Sequence, residues 1–186
     1  MKIGICGKSG SGKSSLAKLI MDKYPDTVHI DIDKIGHEAY LDHDVLKKML
    51  LTFGVDVLTD SVIDRKKLGK LVFDNPENMQ KLTNITWPYM KSRINEILSE
   101  NQDKIIIFDW LLLPKTDFFN MCDVKILLDI PREERMKRCI ERDHITEEEF
   151  LMRDSSSISY NKENFDVVIN NNDFEMENIF KLIKHS

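Results

Sequence analysis

Five short runs of apolar residues along the chain predict β-strands. The runs are rich in Ile and Val, and they mostly lack the alternation of polar and apolar residues that marks a strand with one face in solvent. Continuous apolar runs are typical of parallel strands that are buried on both faces. The predicted strands span residues 2–6, 27–32, 104–108, 124–130 and 166–169.

Between these runs, apolar residues recur at the three- and four-residue spacing of amphipathic helices. One stripe follows the first predicted strand, two lie between the second and third strands, and one follows the last strand. The stripes consist of Leu16, Leu19 and Ile20; Val45, Leu46, Met49, Leu50 and Phe53; Met79, Leu82, Ile85, Ile94, Ile97 and Leu98; and Ile179, Phe180 and Ile183. Pro88 lies inside the third stripe and predicts a kink there.

Strands that alternate with helices imply βαβ units, and therefore an α/β fold of three layers around a five-stranded parallel sheet. The length of 186 residues fits one domain. We predict that its core comprises about residues 1–34, 102–130 and 164–186. Residues 35–101 are nearly all helical and too long for a simple crossover, so we interpret them as a helical insertion that binds substrate. Two helical segments over about residues 131–163 predict a short lid.

The charge balance narrows the class of partner. The chain has 27 basic and 32 acidic residues and a net charge of −5, so we expect no general binding to nucleic acid or to an anionic membrane. No apolar run reaches the roughly 18–20 residues of a transmembrane helix, and the first residues lack the apolar region of a signal peptide. The three cysteines form no CxxC pair, which is typical of a reduced, cytoplasmic protein.

The strongest chemical signal is a phosphate loop between the first predicted strand and the first predicted helix. Its sequence matches G-x-x-x-x-G-K-[ST] at every fixed position. Glycines let the backbone point its N–H groups at phosphate oxygens, and the helix N-terminus adds a positive dipole end. The residues predicted to hold the nucleotide are Gly7, Lys8, Ser9, Gly10, Ser11, Gly12, Lys13, Ser14 and Ser15.

Within this loop, Lys13 is predicted to bridge the β- and γ-phosphates of ATP, and the Ser14 hydroxyl to ligate Mg²⁺. A phosphate loop alone does not separate small-molecule kinases from GTPases, transporter ATPases or regulatory proteins. The sequence lacks both the Asn-Lys-x-Asp that reads guanine and the transporter signature, which favours a kinase. Asp33 and Gly36 fit the Asp-x-x-Gly of GTPases, so a nucleotide-binding regulatory protein stays an alternative.

Residues 27–33 predict a strand that ends in two carboxylates at alternate positions, Asp31 and Asp33. Ligands of open parallel sheets bind beyond the carboxyl ends of the strands, where we expect Asp33. A kinase that phosphorylates a hydroxyl needs a group that orients the hydroxyl or takes its proton. Asp33 is therefore predicted to bind the substrate and to act as the base. The alternative is that both carboxylates only cap the following helix.

Taken together, these stretches resemble the dephospho-CoA kinase family. The similarity extends over nearly the whole chain, through the phosphate loop and residues 31–38, 53–54, 62–68, 71–73, 138–143 and 166–171. It implies a P-loop NTPase fold like that of nucleoside monophosphate kinases. It also implies phosphoryl transfer from ATP to the ribose 3′-hydroxyl of dephospho-CoA, with Asp33 as the base. Trp87 and Pro88 stand where the family has His-Pro, so a nucleoside or nucleotide kinase of the same fold is the alternative.

The predicted lid carries a stripe of four arginines at helical spacing, namely Arg132, Arg135, Arg138 and Arg142. A guanidinium group suits this place because it binds phosphoryl oxygens bidentately. Arg138 and Arg142 match the lid arginines of the family and are predicted to be catalytic. The alternative is a solvent-exposed helix that carries Glu–Arg pairs.

Three further residues complete the predicted site. Arg65 begins a helix, where a cation opposes the helix dipole, and this favours contact with a substrate phosphate over a surface position. Asp109 ends the third apolar run and resembles the Walker B carboxylate that holds Mg²⁺ through water, with a helix cap as the alternative. Trp87 is predicted to contact the adenine or pantetheine of the acceptor, with a core tryptophan as the alternative.

Overall fold

The computed structural model of the chain describes residues 1–73, 75–155, 157–170 and 176–185. The chain divides into two compact units. The first unit consists of Met1–Asp31 and Asn101–Ser186, and the second unit is Ile32–Glu100. Asn171, the last residue of the resemblance to the family, lies outside the described residues.

The strands of the described residues, in chain order, are β1 (Lys2–Gly7), β2 (Thr27–Asp31), β3 (Leu58–Thr59), β4 (Val62–Ile63), β5 (Ile105–Asp109), β6 (Val124–Leu128) and β7 (Val167–Ile169). The α-helices are α1 (Lys13–Lys23), α2 (Ile32–Glu38), α3 (His43–Phe53), α4 (Arg65–Val72), α5 (Pro76–Glu100), α6 (Asp117–Asn120), α7 (Arg132–Asp143), α8 (Glu147–Ser155) and α9 (Met176–His185). Short 3-10 helices span Ala39–Leu41, Val55–Val57, Leu113–Lys115 and Lys162–Asn164.

A parallel sheet of five strands, in the order β2-β5-β1-β6-β7, forms the centre of the first unit. All five apolar runs form the strands predicted from them, with ends displaced by at most two residues. The predicted α/β fold with a five-stranded parallel sheet is therefore confirmed. Because the strands are parallel, β1 and β5 end at the same edge of the sheet, and the phosphate loop begins there at Gly7.

Both faces of the sheet are covered, which explains why the strands read as continuous apolar runs. On one face, Ile3 and Ile5 join the core that includes residues of α1 and α9. On the other face, a Cβ at Gly4 would lie 2.9 Å from the sulfur of Cys122, so there is no room for a larger side chain at this position. In α1 the predicted stripe is only partly buried, because Leu19 is half exposed.

The second unit contains α2 to α5 and the antiparallel pair β3–β4. Its core includes Met49 of α3 and Leu68 of α4, with the apolar side of α5 packed against it. The pair β3–β4 was not predicted, since strands of two residues are too short to leave a periodic pattern. Pro88 does not end α5, which stays one helix over Pro76–Glu100.

Two other sequence features concern the environment of the chain. Among the described residues, no helix combines the length and the apolar character that a membrane crossing requires. The cysteines are free and buried, and burial raises the pKa of the Cys6 thiol and raises that of Cys122 to about 12. Both thiols therefore stay protonated at neutral pH and act as small apolar core side chains.

Candidate active site

The phosphate loop, residues 7–15, turns the chain from the central strand β1 into α1. Gly10 has a φ of 77°, a conformation that residues with a side chain rarely adopt. A Cβ at Gly10 would also overlap the backbone carbonyl oxygen of Arg135 and would lie 2.8 Å from the sulfur of Cys139. The structure thus gives a local reason for this glycine, since the loop lies directly against α7.

Polar groups at the phosphate loop and at the start of α1 are available to bind a ligand. The residue before α1 is Gly12, which has no side chain to accept a hydrogen bond from the first N–H groups of α1. The first N–H groups of a helix lack partners within the helix, so an uncapped N-terminus is a site for an anion. The buried hydroxyl of Ser11 also has no hydrogen-bond partner among the described residues. Lys13, the first residue of α1, adds positive charge at this place.

The two residues predicted to hold Mg²⁺ are brought together. The Ser14 hydroxyl donates a hydrogen bond of 2.9 Å to a carboxylate oxygen of Asp109, which is 3% exposed at the end of β5. Oxygen ligands suit Mg²⁺, which keeps several waters and shares the phosphate oxygens of its nucleotide. These residues therefore fit the ion, and the described residues contain no group of three His, Cys, Asp or Glu that would form a separate metal cage.

His29 was not predicted as a site residue, but its Nε2 lies 3.2 Å from the same carboxylate oxygen of Asp109. The two residues are 80 positions apart, and they meet because β2 pairs with β5 in register. No local pattern in the sequence reveals such a contact.

We expect Asp109→Asn to raise the Mg²⁺ concentration needed for half-maximal turnover by about 10–100-fold, the usual effect of losing a group that orients metal ligands. The amide oxygen of Asn can still accept the hydrogen bond from Ser14, but the substitution removes the negative charge of the carboxylate. A titration of ADP release against Mg²⁺ measures the effect, and Asp103→Asn, at an exposed loop position, is the control. An unchanged Mg²⁺ requirement would contradict the assignment of Asp109.

The predicted lid forms two helices, α7 and α8. Thr146 and Glu149 make the reciprocal hydrogen bonds of a capping box at the start of α8. Arg138 is partly exposed, and its guanidinium lies 3.3 Å from the carbonyl oxygen of Gly10. Arg142 is 64% exposed in its side chain and forms a two-point ion pair with Asp143. The structure thus places Arg138 against the phosphate loop, whereas the contacts of Arg142 are local.

Arg135 of α7 is, with Arg132, one of the two arginines of the stripe for which no role was predicted. It is 4% exposed and pairs with Asp154 of α8 at 2.6 Å. It also borders a cavity of about 420 Å³ beside the phosphate loop. The cavity is lined by Lys8, Leu128, Asp129, Ile130, Pro131, Arg132, Arg135, Tyr160 and Asn170.

Because Arg138 contacts the loop, we expect Arg138→Ala to lower kcat more than it raises KM for ATP, as for a cation that meets charge developing during transfer. Arg142→Ala is expected to act in the same direction if Arg142 leaves Asp143 for the nucleotide. Steady-state kinetics and thermal unfolding measure both effects. A lower Tm with unchanged turnover would show that these arginines only stabilise the lid helices.

In the second unit, the structure corrects the placement of Asp33. The strand β2 ends at Asp31, and Asp33 is an exposed residue in the first turn of α2. The helical period of the buried residues Ile32, Ile35 and Ala39 starts immediately after the strand. An acidic residue in the first turn is also favoured by the helix dipole. Asp33 therefore follows the strand instead of ending it.

Arg65 is the first residue of α4, as predicted. Its guanidinium nitrogen Nη1 lies 3.1 Å from a ring nitrogen of His37 in α2. Burial raises the pKa of the Tyr40 hydroxyl, and the charge of Arg65 opposes this effect. The helix cap is Asp64, which accepts hydrogen bonds from two backbone N–H groups. His37 and Tyr40 are thus further candidates for a substrate site that the sequence analysis did not name. Trp87 is half-buried on α5.

Comparison with known proteins gives a consistent result. A model of the dephospho-CoA kinase family matches residues 1–177. The dephospho-CoA kinase of Fusobacterium nucleatum is 34% identical over 187 residues, which cover 99% of this chain and 95% of that protein.

Solved structures agree with the sequence comparison. The structure of dephospho-CoA kinase from Campylobacter jejuni has a TM-score of 0.63 and 26% identity, and the match covers 100% of this chain and 96% of that one. A structure from Thermus thermophilus has a TM-score of 0.81 with 24% identity, covering 100% of this chain and 95% of that one. Because this identity is low, the Thermus thermophilus structure supports only the assignment of the fold.

Proposed function

Since the chain belongs to the dephospho-CoA kinase family, we propose that it transfers the γ-phosphoryl group of ATP to the ribose 3′-hydroxyl of dephospho-CoA, giving coenzyme A and ADP. The observation that carries the donor side is the uncapped N-terminus of α1 directly behind the phosphate loop, with Ser14 hydrogen-bonded to Asp109. The observation that carries the acceptor side is the family match over 1–177. We place the reaction in the cytoplasm.

On the donor side, the backbone N–H groups of the phosphate loop and Lys13 hold the β- and γ-phosphates of ATP. Ser14 and Asp109 are the residues that would hold Mg²⁺. When bound, this ion would neutralise part of the charge that develops on the phosphate oxygens. The cavity beside Lys8 has room for the nucleobase and ribose of the donor.

On the acceptor side, Asp33 takes the proton of the 3′-hydroxyl. The hydroxyl oxygen then forms a bond to the γ-phosphorus while the bond from that phosphorus to the β–γ bridging oxygen breaks, and ADP leaves. Arg65 contacts a phosphate of the acceptor, and Trp87 packs against its adenine or pantetheine.

The test is an acceptor screen with ATP and Mg²⁺, read by mass spectrometry. We expect dephospho-CoA to gain one phosphoryl group on its ribose while an equal amount of ADP forms. Nucleosides and nucleoside monophosphates are tested in parallel. If they are phosphorylated and dephospho-CoA is not, the chain is a nucleoside or nucleotide kinase. ADP or GDP that forms only with a protein partner would indicate a regulatory protein.

A further inference from the structure

Arg135 joins both lid helices to the phosphate loop. Its Nε donates to the carbonyl oxygen of Ile130 at 3.0 Å, and its two terminal nitrogens donate to the two carboxylate oxygens of Asp154 at 2.6 and 3.3 Å. Nη1 also donates to the carbonyl oxygen of Ser9, inside the phosphate loop, at 3.3 Å. A single guanidinium group thus connects α7, α8 and the loop.

The burial of this ion pair calls for an explanation. Arg135 is 4% exposed, and its guanidinium lies 5.8 Å from the ring centre of Phe150. Burial works to raise the pKa of Asp154, but the hydrogen bond and charge of Arg135, with Lys8 and Arg132, outweigh it, so the pKa is lowered and the carboxylate stays charged. Apolar residues of similar volume often stabilise a fold as well as a buried ion pair does. Stability alone therefore does not account for Arg135 and Asp154.

The contact with Ser9 gives the pair a specific effect on the loop. In a trans peptide, the C=O and the N–H point in opposite directions. The C=O of Ser9 belongs to the same peptide as the N–H of Gly10. When Arg135 binds that oxygen on the lid side, the N–H of Gly10 is turned to the other side of the loop. This N–H has no acceptor within the described ranges of the chain.

We propose that Arg135 is a positioning residue that fixes the Ser9–Gly10 peptide so that its N–H faces the phosphate of the nucleotide, and that Asp154 holds Arg135 in place. The inference rests on the proposed function, because it takes the loop to bind a nucleoside diphosphate or triphosphate. It assigns to Arg135 an effect on the phosphate chain of the donor, separate from any contact with the nucleoside.

The experiment compares the dissociation constants of ADP and AMP, measured by calorimetric titration with Mg²⁺. The two ligands share the nucleoside, so effects on the cavity cancel in their ratio, while the β-phosphate belongs to ADP alone. The variants are Arg135→Lys, Asp154→Asn and the double variant Arg135→Met/Asp154→Leu, which replaces the buried pair by apolar side chains. Lys137→Gln, which removes an exposed positive charge from the same helix, is the control.

We expect the preference for ADP over AMP to fall about tenfold in Arg135→Lys and in the double variant, the usual effect of losing a charge-assisted hydrogen bond. Asp154→Asn is expected to reduce it less, since it acts only through Arg135. Lys137→Gln is expected to keep the wild-type preference.

Thermal unfolding separates positioning from loss of structure. The double variant is expected to keep a Tm near that of the wild type, so it decides the question even if Arg135→Lys unfolds. A folded double variant with the wild-type preference for ADP overturns the proposal, as does a wild type that binds AMP as tightly as ADP. A wild type that prefers ADP but does not phosphorylate dephospho-CoA overturns the proposed function alone.

Discussion

Replacing Lys13 by Ala is expected to reduce phosphoryl transfer by about 10²–10³-fold or more, the usual effect of removing one group that stabilises developing charge. Lys13 belongs to the phosphate loop and is the first residue of α1, where its ammonium group can bind the β- and γ-phosphates during transfer. The γ-phosphate would lose its main positive partner during transfer. The fold is expected to be unaffected, since Lys13 is not part of the core cluster around β1 and α1.

The matched control for this prediction is Lys18→Ala, which removes an exposed lysine from the same helix and is expected to be silent. Turnover is followed as ADP formation with dephospho-CoA present, and thermal unfolding checks the fold. Steady-state turnover of Lys13→Ala within a few-fold of the wild type would contradict the role of the phosphate loop in catalysis.

The sheet was predictable because its signal is local. Each parallel strand is covered on both faces, so each reads as a short apolar run, and the phosphate loop is defined by fixed residues within one turn. Contacts between residues that are far apart in the sequence leave no such local signal. The contact between His29 and Asp109 joins two strands, and the ion pair of Arg135 with Asp154 joins two helices.

The burial of each arginine in α7 could not be predicted from the sequence. Helical spacing indicates that four arginines share one side of α7, but it does not indicate which of them is buried. The side chain of Arg135 is 5% exposed, whereas that of Arg142 is 64% exposed. That difference depends on the contacts of each residue. Arg135 binds the phosphate loop and α8, whereas Arg142 pairs with the adjacent Asp143.

The start of α2 illustrates competition between two patterns. The run over residues 27–33 has alternating polar residues that suit a strand, yet the buried residues from Ile32 onwards follow the helical period. Packing in the second unit decides for the helix, and Asp33 moves from a strand end to a helix start. The residue predicted as the base is still the first carboxylate after β2, and its role is a matter for experiment.

We expect Asp33→Asn to lower kcat by about 10²–10⁴-fold, the span typical of general base catalysis. Asparagine has the size of aspartate and keeps its hydrogen-bonding capacity, but it cannot take the proton of the acceptor hydroxyl. The affinity for ADP and the KM for ATP are expected to change little, because the donor is held by residues of the phosphate loop. Asp33 is exposed in the first turn of α2, so only a small change in Tm is expected.

The control for Asp33 is Asp31→Asn, two residues away at the end of β2, which is expected to cost less activity. Both variants are assayed with dephospho-CoA and with nucleosides. If Asp33→Asn stays nearly as active as the wild type while Asp31→Asn is impaired, the base is the carboxylate that ends the strand, and the assignment of Asp33 is wrong.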